Sequence, residues 1–269
     1  MGWTPPQTEE RLFQSRSNGQ SYRILVWQPA VPAPPEGFPA ILLLDATGCF
    51  GTCVEAVKRM ARRPDATGVQ QAIVIGVTHP DDTLYDTGQR QRDFTTPNPA
   101  VDGSGGAPDF LAFLADELTP SLAADRPLDR NRLTLFGHSL AGFFTLWALA
   151  ARPDAFAAYA AISPSLWWDR DRLFAALAKA DLRQKRLLLC VGEWEAALPP
   201  WQRGKDGADA ILARRQQRRM IANAEELVRA IRPRMPEGGL DFEVLAQEDH
   251  ASIVSAAVPR ALRLMSARA

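Results

Sequence analysis

The stretch Gly137-His138-Ser139-Leu140-Ala141-Gly142 joins a strand-like run, Arg132–Phe136, to a helical pattern, Leu140–Ala151. A serine on a sharp strand-to-helix turn is exposed and can attack a carbonyl carbon, the chemistry of the G-x-S-x-G signature. Here Ala141 replaces the second glycine, and Gly142 follows one residue later. A hydroxyl is a weak nucleophile without an adjacent base. One histidine lies downstream, His250 in LDFEVLAQEDHASIVSAA, between a strand-like run and the last helical segment. A carboxylate on its other ring nitrogen would hold the tautomer and stabilise the imidazolium. In RLLLCVGEWEAAL, Glu195 stands three residues after Gly192, with Glu193 as the alternative acid. Asp249 is a poor third, because adjacent side chains diverge. The developing oxyanion needs two backbone N–H donors. One is expected from Leu140, the other from Thr47 or Ala46 in ILLLDATGCF, with Asp45 bracing that loop.

These residues must be carried to one place by the elements around them. Strand-like runs occur at Tyr22–Trp27, Ala40–Leu44, Ala72–Val77, Arg132–Phe136, Ala157–Ile162, Arg186–Val191 and Leu240–Leu245. Their apolar character is nearly continuous, which implies a sheet covered on both faces. Helical patterning falls between them at Val54–Arg63, Pro108–Ala123, Leu140–Ala151, Asp169–Lys179 and Ala208–Ile231, and again at Ala251–Ala267. The alternation predicts an α/β fold, a doubly wound, mostly parallel sheet with helices on both faces. Residues 1–269 are read as one domain, with an insertion at about 197–219 that could form a lid. In such sheets, sites form beyond the carboxyl ends of the strands, where each candidate lies.

Composition narrows the function classes. The 269 residues are 46% apolar and 23% charged, which suits a globular chain with a substantial core. Lys+Arg and Asp+Glu are both 31, so no basic field favours nucleic acid or an anionic membrane. No apolar run reaches the roughly 18 residues of a spanning helix, so no membrane insertion is expected. Cys49, Cys53 and Cys190 are too few for a disulfide framework. His79, His138 and His250 show no ligand spacing, so no metal site is expected. The start, MGWTPPQTEERLFQ, lacks a basic n-region followed by an apolar stretch. A cytoplasmic location is therefore expected, or a periplasmic one if a leader has been removed.

Taken together, these segments carry a resemblance. FPAILLLDATG (Phe38–Gly48), RQRDFTTP (Arg90–Pro97), GHSLAG (Gly137–Gly142), SPSLWW (Ser163–Trp168), VGEWE (Val191–Glu195) and EDHASIVSAAVPRAL (Glu248–Leu262) span nearly the whole chain. The sequence resembles the esterase branch of the α/β-hydrolases, in particular the siderophore esterases that open catecholate trilactones such as enterobactin and salmochelin. The resemblance implies Ser139 as nucleophile and His250 as base. Some members of the branch are described as working with a Ser–His dyad, which leaves the acid open. Two departures stand out: Ala141 replaces a glycine, and Asp45-Ala46-Thr47 replaces an Asp-Gly-Asn-like loop.

A ferric catecholate is anionic, planar in its rings and bulky, so arginines and aromatic faces suit it. Arg90 and Arg92 between strand and helix, and Trp167 and Trp168 after another strand, are the candidate substrate contacts. Arg214, Arg215, Arg218 and Arg219 recur on one helical pattern and read as a solvated face. The expected activity is ester hydrolysis through a Ser139 acyl-enzyme on a small-molecule ester, a catecholate siderophore or its ferric form foremost. No cofactor is expected. The alternatives are a general carboxylic or phenolic ester esterase, an acyltransferase, or a binding protein that keeps the fold without the chemistry.

Overall fold

Along the third strand, Ala40, Leu42 and Leu44 point into one apolar layer and Ile41 and Leu43 into the other. Side chains that alternate between two cores leave no face for water, so these strands read as unbroken apolar runs. The computed structural model describes residues 5–81 and 83–267. Its sheet contains β1 (Thr8–Gln14), β2 (Ser21–Trp27), β3 (Phe38–Leu44), β4 (Ile73–Thr78), β5 (Leu128–His138), β6 (Ala158–Ile162), β7 (Arg186–Gly192) and β8 (Leu240–Leu245). The order is β1-β2-β4-β3-β5-β6-β7-β8. The pairs β1–β2 and β2–β4 are antiparallel; from β4 to β8 every pair is parallel. This is the doubly wound sheet expected from the alternation of segments.

Helices Phe50–Met60 and Ile253–Ser266 cover one face through Cys53, Val54, Val57, Ala257, Val258, Ala261 and Leu262. Leu140–Ala151, Met220–Ile231 and the run from Ala107 to Asp125 cover the other. Phe110, Phe113, Phe143 and Phe144 are fully buried there, each worth about 2–3 kcal/mol in apolar area removed from water.

Three elements differ from expectation. β1 carries Glu9, Glu10 and Arg11, pairs on one side only and leaves Leu12 exposed, so its composition resembles a loop. The span Ala208–Ile231 is two helices, Ala208–Arg218 and Met220–Ile231, separated by Arg219 at φ 48°. Arg90 and Arg92 lie on a short helix, Thr87–Asp93, capped by Asp86, whose side chain accepts from the Gln89 N–H. Among the described residues, no helix is long and apolar enough to cross a membrane.

Candidate active site

Four neighbouring parallel strands present the site in spatial order. Ser139 follows β5, Ser163 and Ser165 follow β6, Glu195 follows β7, and His250 follows β8. Backbone strain collects on the same rim. Among the described residues, Asp45 (φ 51°), Ser139 (φ 60°), Ser163 (φ 43°) and Gln247 (φ 59°) are non-glycine residues in the positive-φ region just past β3, β5, β6 and β8. Such conformations persist only where surrounding structure over-determines them.

The turn at Ser139 is as tight as the sequence pattern demands. A Cβ on Gly137 would lie 2.2 Å from the Ala141 carbonyl oxygen, and one on Gly142 would lie 2.9 Å from the Ile162 oxygen. Position 141 tolerates a methyl, which is fully buried. The close approach between helix and sheet therefore falls at Gly142, one residue beyond the usual glycine. Leu140 begins the helix Leu140–Ala151, so its N–H has no carbonyl partner within that helix.

His250 Nε2 lies 2.9 Å from Ser139 Oγ, and His250 Nδ1 lies 3.1 Å from Glu195 Oε2. Glu195 is buried at 3% exposure in the turn after β7. Its Oε1 accepts from the Gly192 N–H at 2.9 Å and from the Ser163 hydroxyl. Glu193 is exposed, and its Oε2 accepts from the backbone N–H of Gln247 at 2.7 Å. Of the two glutamates, Glu195 faces the histidine and Glu193 ties the loop that carries it. Asp249 accepts from the N–H groups of Ala251 and Ser252, away from the imidazole.

His138, next to Ser139, is buried with its ring centroid 4.7 Å from that of His250. Burial, followed by the neighbouring His250 charge, pushes its pKa down to about 3, so it stays neutral beside the site. Sequence reasoning did not single out this residue, nor Ser163 and Ser165. Their importance lies in pairing between β5, β6 and β7, which no local pattern records.

The loop after β3 is braced from two sides. Asp45 is buried, and Arg90 Nε donates to both its carboxylate oxygens at 3.1 and 3.0 Å. Burial pushes the Asp45 carboxyl up against the pull of Arg90. Thr47 Oγ1 lies 3.0 Å from Thr78 Oγ1, and Ala46 is fully buried. The Arg90 guanidinium also lies 4.8 Å from the Tyr85 ring centroid. Arg92 donates to Asp93 at 2.7 and 3.0 Å, and Asp93 accepts from the buried Tyr22 hydroxyl. Both arginines expected to meet substrate are held by carboxylates of their own chain.

The two tryptophans divide. Trp168 is half-buried against the core, whereas Trp167 is 41% exposed with the Arg218 guanidinium 4.8 Å from its ring centroid. Trp194, beside Glu195, meets the exposed Trp201 edge to face at 4.6 Å. Arg215 donates to the Ala197 carbonyl, and Arg219 pairs with Glu226. Arg214, Arg218 and Arg219 are exposed, and the contacts made by Arg215 and Arg219 lie at the surface.

A doubly wound sheet with an elbow serine at the carboxyl end of β5 defines an α/β-hydrolase. The chain belongs to the family described as "Putative esterase", whose sequence model matches residues 15–228. The ferri-bacillibactin esterase BesA of Bacillus subtilis is 34% identical, over 97% of this chain and 90% of that protein. The siderophore enterobactin esterase of Emericella nidulans is 30% identical, over 90% of this chain and 86% of its own length. Among solved structures, the BES protein from Bacillus cereus superposes with a TM-score of 0.83 at 29% identity, covering 100% of this chain and 98% of that one.

Proposed function

We propose that this protein is a serine ester hydrolase that cleaves the ester bonds of a siderophore, with a catecholate trilactone as the substrate class. The observation that carries the chemistry is the continuous Ser139–His250–Glu195 chain, at 2.9 and 3.1 Å, on a serine held at φ 60°. The substrate class rests on the names of relatives aligned over most of the chain. An exposed indole under a guanidinium, Trp167 with Arg218, suits a planar anionic ring.

In this reading His250 Nε2 takes the Ser139 proton as Oγ attacks the ester carbonyl. Glu195 holds the Nδ1–H and stabilises the imidazolium. The Leu140 N–H and an N–H of Ala46 or Thr47 receive the developing oxyanion. The proton passes to the leaving alcohol, an acyl-enzyme remains, and His250 activates water to release the acid. Iron enters only as part of the substrate.

The test compares wild type with Ser139→Ala on p-nitrophenyl esters and on ferric and iron-free enterobactin. Turnover of both substrate types, abolished in Ser139→Ala, is expected. Turnover of simple esters alone would remove the siderophore assignment. Activity surviving in Ser139→Ala would remove the serine mechanism.

A further inference from the structure

Ser139 Oγ has a second partner besides His250: the hydroxyl of Ser165, at 3.3 Å. The supply of protons fixes the direction of this bond. The Glu195 carboxylate only accepts, so His250 Nδ1 carries the ring proton and Nε2 is the acceptor. The single Ser139 proton therefore points to Nε2 at 2.9 Å. Ser165 must then be the donor and Ser139 Oγ the acceptor.

Ser165 is built into this position. It is buried at 3% exposure. Its N–H donates to the Ser139 carbonyl at 2.9 Å, and its own carbonyl accepts from the Trp168 N–H at 3.0 Å. Two residues earlier, Ser163 donates its N–H to the Cys190 carbonyl and its hydroxyl to Glu195. β6 lies between β5 and β7, so its trailing segment touches the oxygen of the nucleophile with one serine and the acid with the other. Pro164 between them packs on the elbow helix, where a Cβ on Gly142 would come within 3.1 Å of its Cα.

We propose that Ser165 is a further catalytic residue and that it acts chiefly in deacylation. The inference rests on the acyl-enzyme reading above. In acylation, Oγ gives up its proton to His250 and its electron pair to the carbonyl carbon. The Ser165 hydrogen bond then weakens as that density moves away. In deacylation, water adds to the acyl carbonyl while His250 takes one of its protons. The carbon–Oγ bond breaks, Oγ leaves with the electron pair, and His250 returns the proton to it. A donor aimed at Oγ strengthens as negative charge develops there, because hydrogen bonds to charged acceptors are about twice as strong as neutral ones. One hydroxyl thus favours the second half of the cycle and contributes little to the first.

The test is stopped-flow hydrolysis of p-nitrophenyl esters by wild type, Ser165→Ala and Ser165→Cys, the last keeping the volume with a weaker donor. For Ser165→Ala, kcat is expected to fall about three- to tenfold, the effect of one lost hydrogen bond. KM should fall in the same proportion, leaving kcat/KM within about twofold. The p-nitrophenol burst should approach one per active site, with the acyl adduct visible in the intact mass. Ser165→Cys should fall between the two. A matched loss of kcat/KM without adduct would mark Ser165 as an aligning residue only, and an unchanged kcat would remove the role altogether. If the alanine variant does not fold, the cysteine variant decides by the same two criteria. Absence of any adduct on wild-type Ser139 under acid quench, with turnover intact, would count against the acyl-enzyme itself.

Discussion

At the scale of single residues, the two oxygens of Glu195 have different duties. Oε2 faces His250, whereas Oε1 accepts from Gly192 and Ser163. An amide cannot serve both, since its NH₂ must either meet two donors or face Nδ1, which would then have to accept, leaving the ring proton on Nε2 in the wrong tautomer. Glu195→Gln should lower kcat by about 10²–10⁴-fold. Glu193→Gln, which only loosens an exposed loop contact, should leave kcat within about twofold; equal losses in the two variants would contradict this division. Ala141 concerns stability. Ala141→Gly should cost about 1–2 kcal/mol in urea unfolding at unchanged kcat, whereas Gly137→Ala, driving a Cβ onto the Ala141 oxygen, should cost about 3 kcal/mol or more. Ser139, His250 and Glu195 were legible because each stands just past an apolar run and their order along the chain is informative. The contact between Ser165 and Ser139 was not, because it arises from β6 lying beside β5, a non-local fact.

At the scale of elements, the loop after β3 depends on a glycine in its neighbour. Gly76 on β4 leaves room that a Cβ would fill, 2.7 Å from Ala46 Cβ and 2.9 Å from Phe50 Cδ2. Gly76→Ala should therefore displace the loop carrying Ala46 and Thr47. The expected outcome is a loss of about 1–3 kcal/mol in unfolding free energy together with lowered kcat at near-constant KM. A stability loss with full kcat would separate that loop from the oxyanion. The central strands were readable as elements, since burial on both faces imposes uniform apolarity. β1 was not, because an edge strand with charged residues has no such constraint. The break at Arg219 was hidden as well: the local pattern permits one helix from Ala208 to Ile231, and a left-handed arginine carries no sequence signature.

At the scale of the whole molecule, the sheet buries a histidine beside its candidate chemistry, and this ties global stability to acidity. His138 has its pKa pushed down from 6.5 to about 3, by burial first and then by the His250 charge, with Arg90 adding to the repulsion. In the unfolded chain the ring titrates near its ordinary value, so between about pH 6.5 and pH 3 the unfolded state binds a proton that the folded state refuses. Stability therefore rises with pH across that window and falls as acid is added. The contribution of His138 to this loss is about 2 kcal/mol at pH 5 and is absent above about pH 7.5. His138→Phe keeps a ring in the site and removes the titration. Urea unfolding at pH 5 and pH 8 should thus give a smaller acid-induced loss in His138→Phe than in wild type, by about 2 kcal/mol. Identical losses in the two proteins would show that other groups govern acid unfolding. In the proposed mechanism the same buried neutrality would serve the site, since a charged ring 4.7 Å from His250 would oppose an imidazolium there.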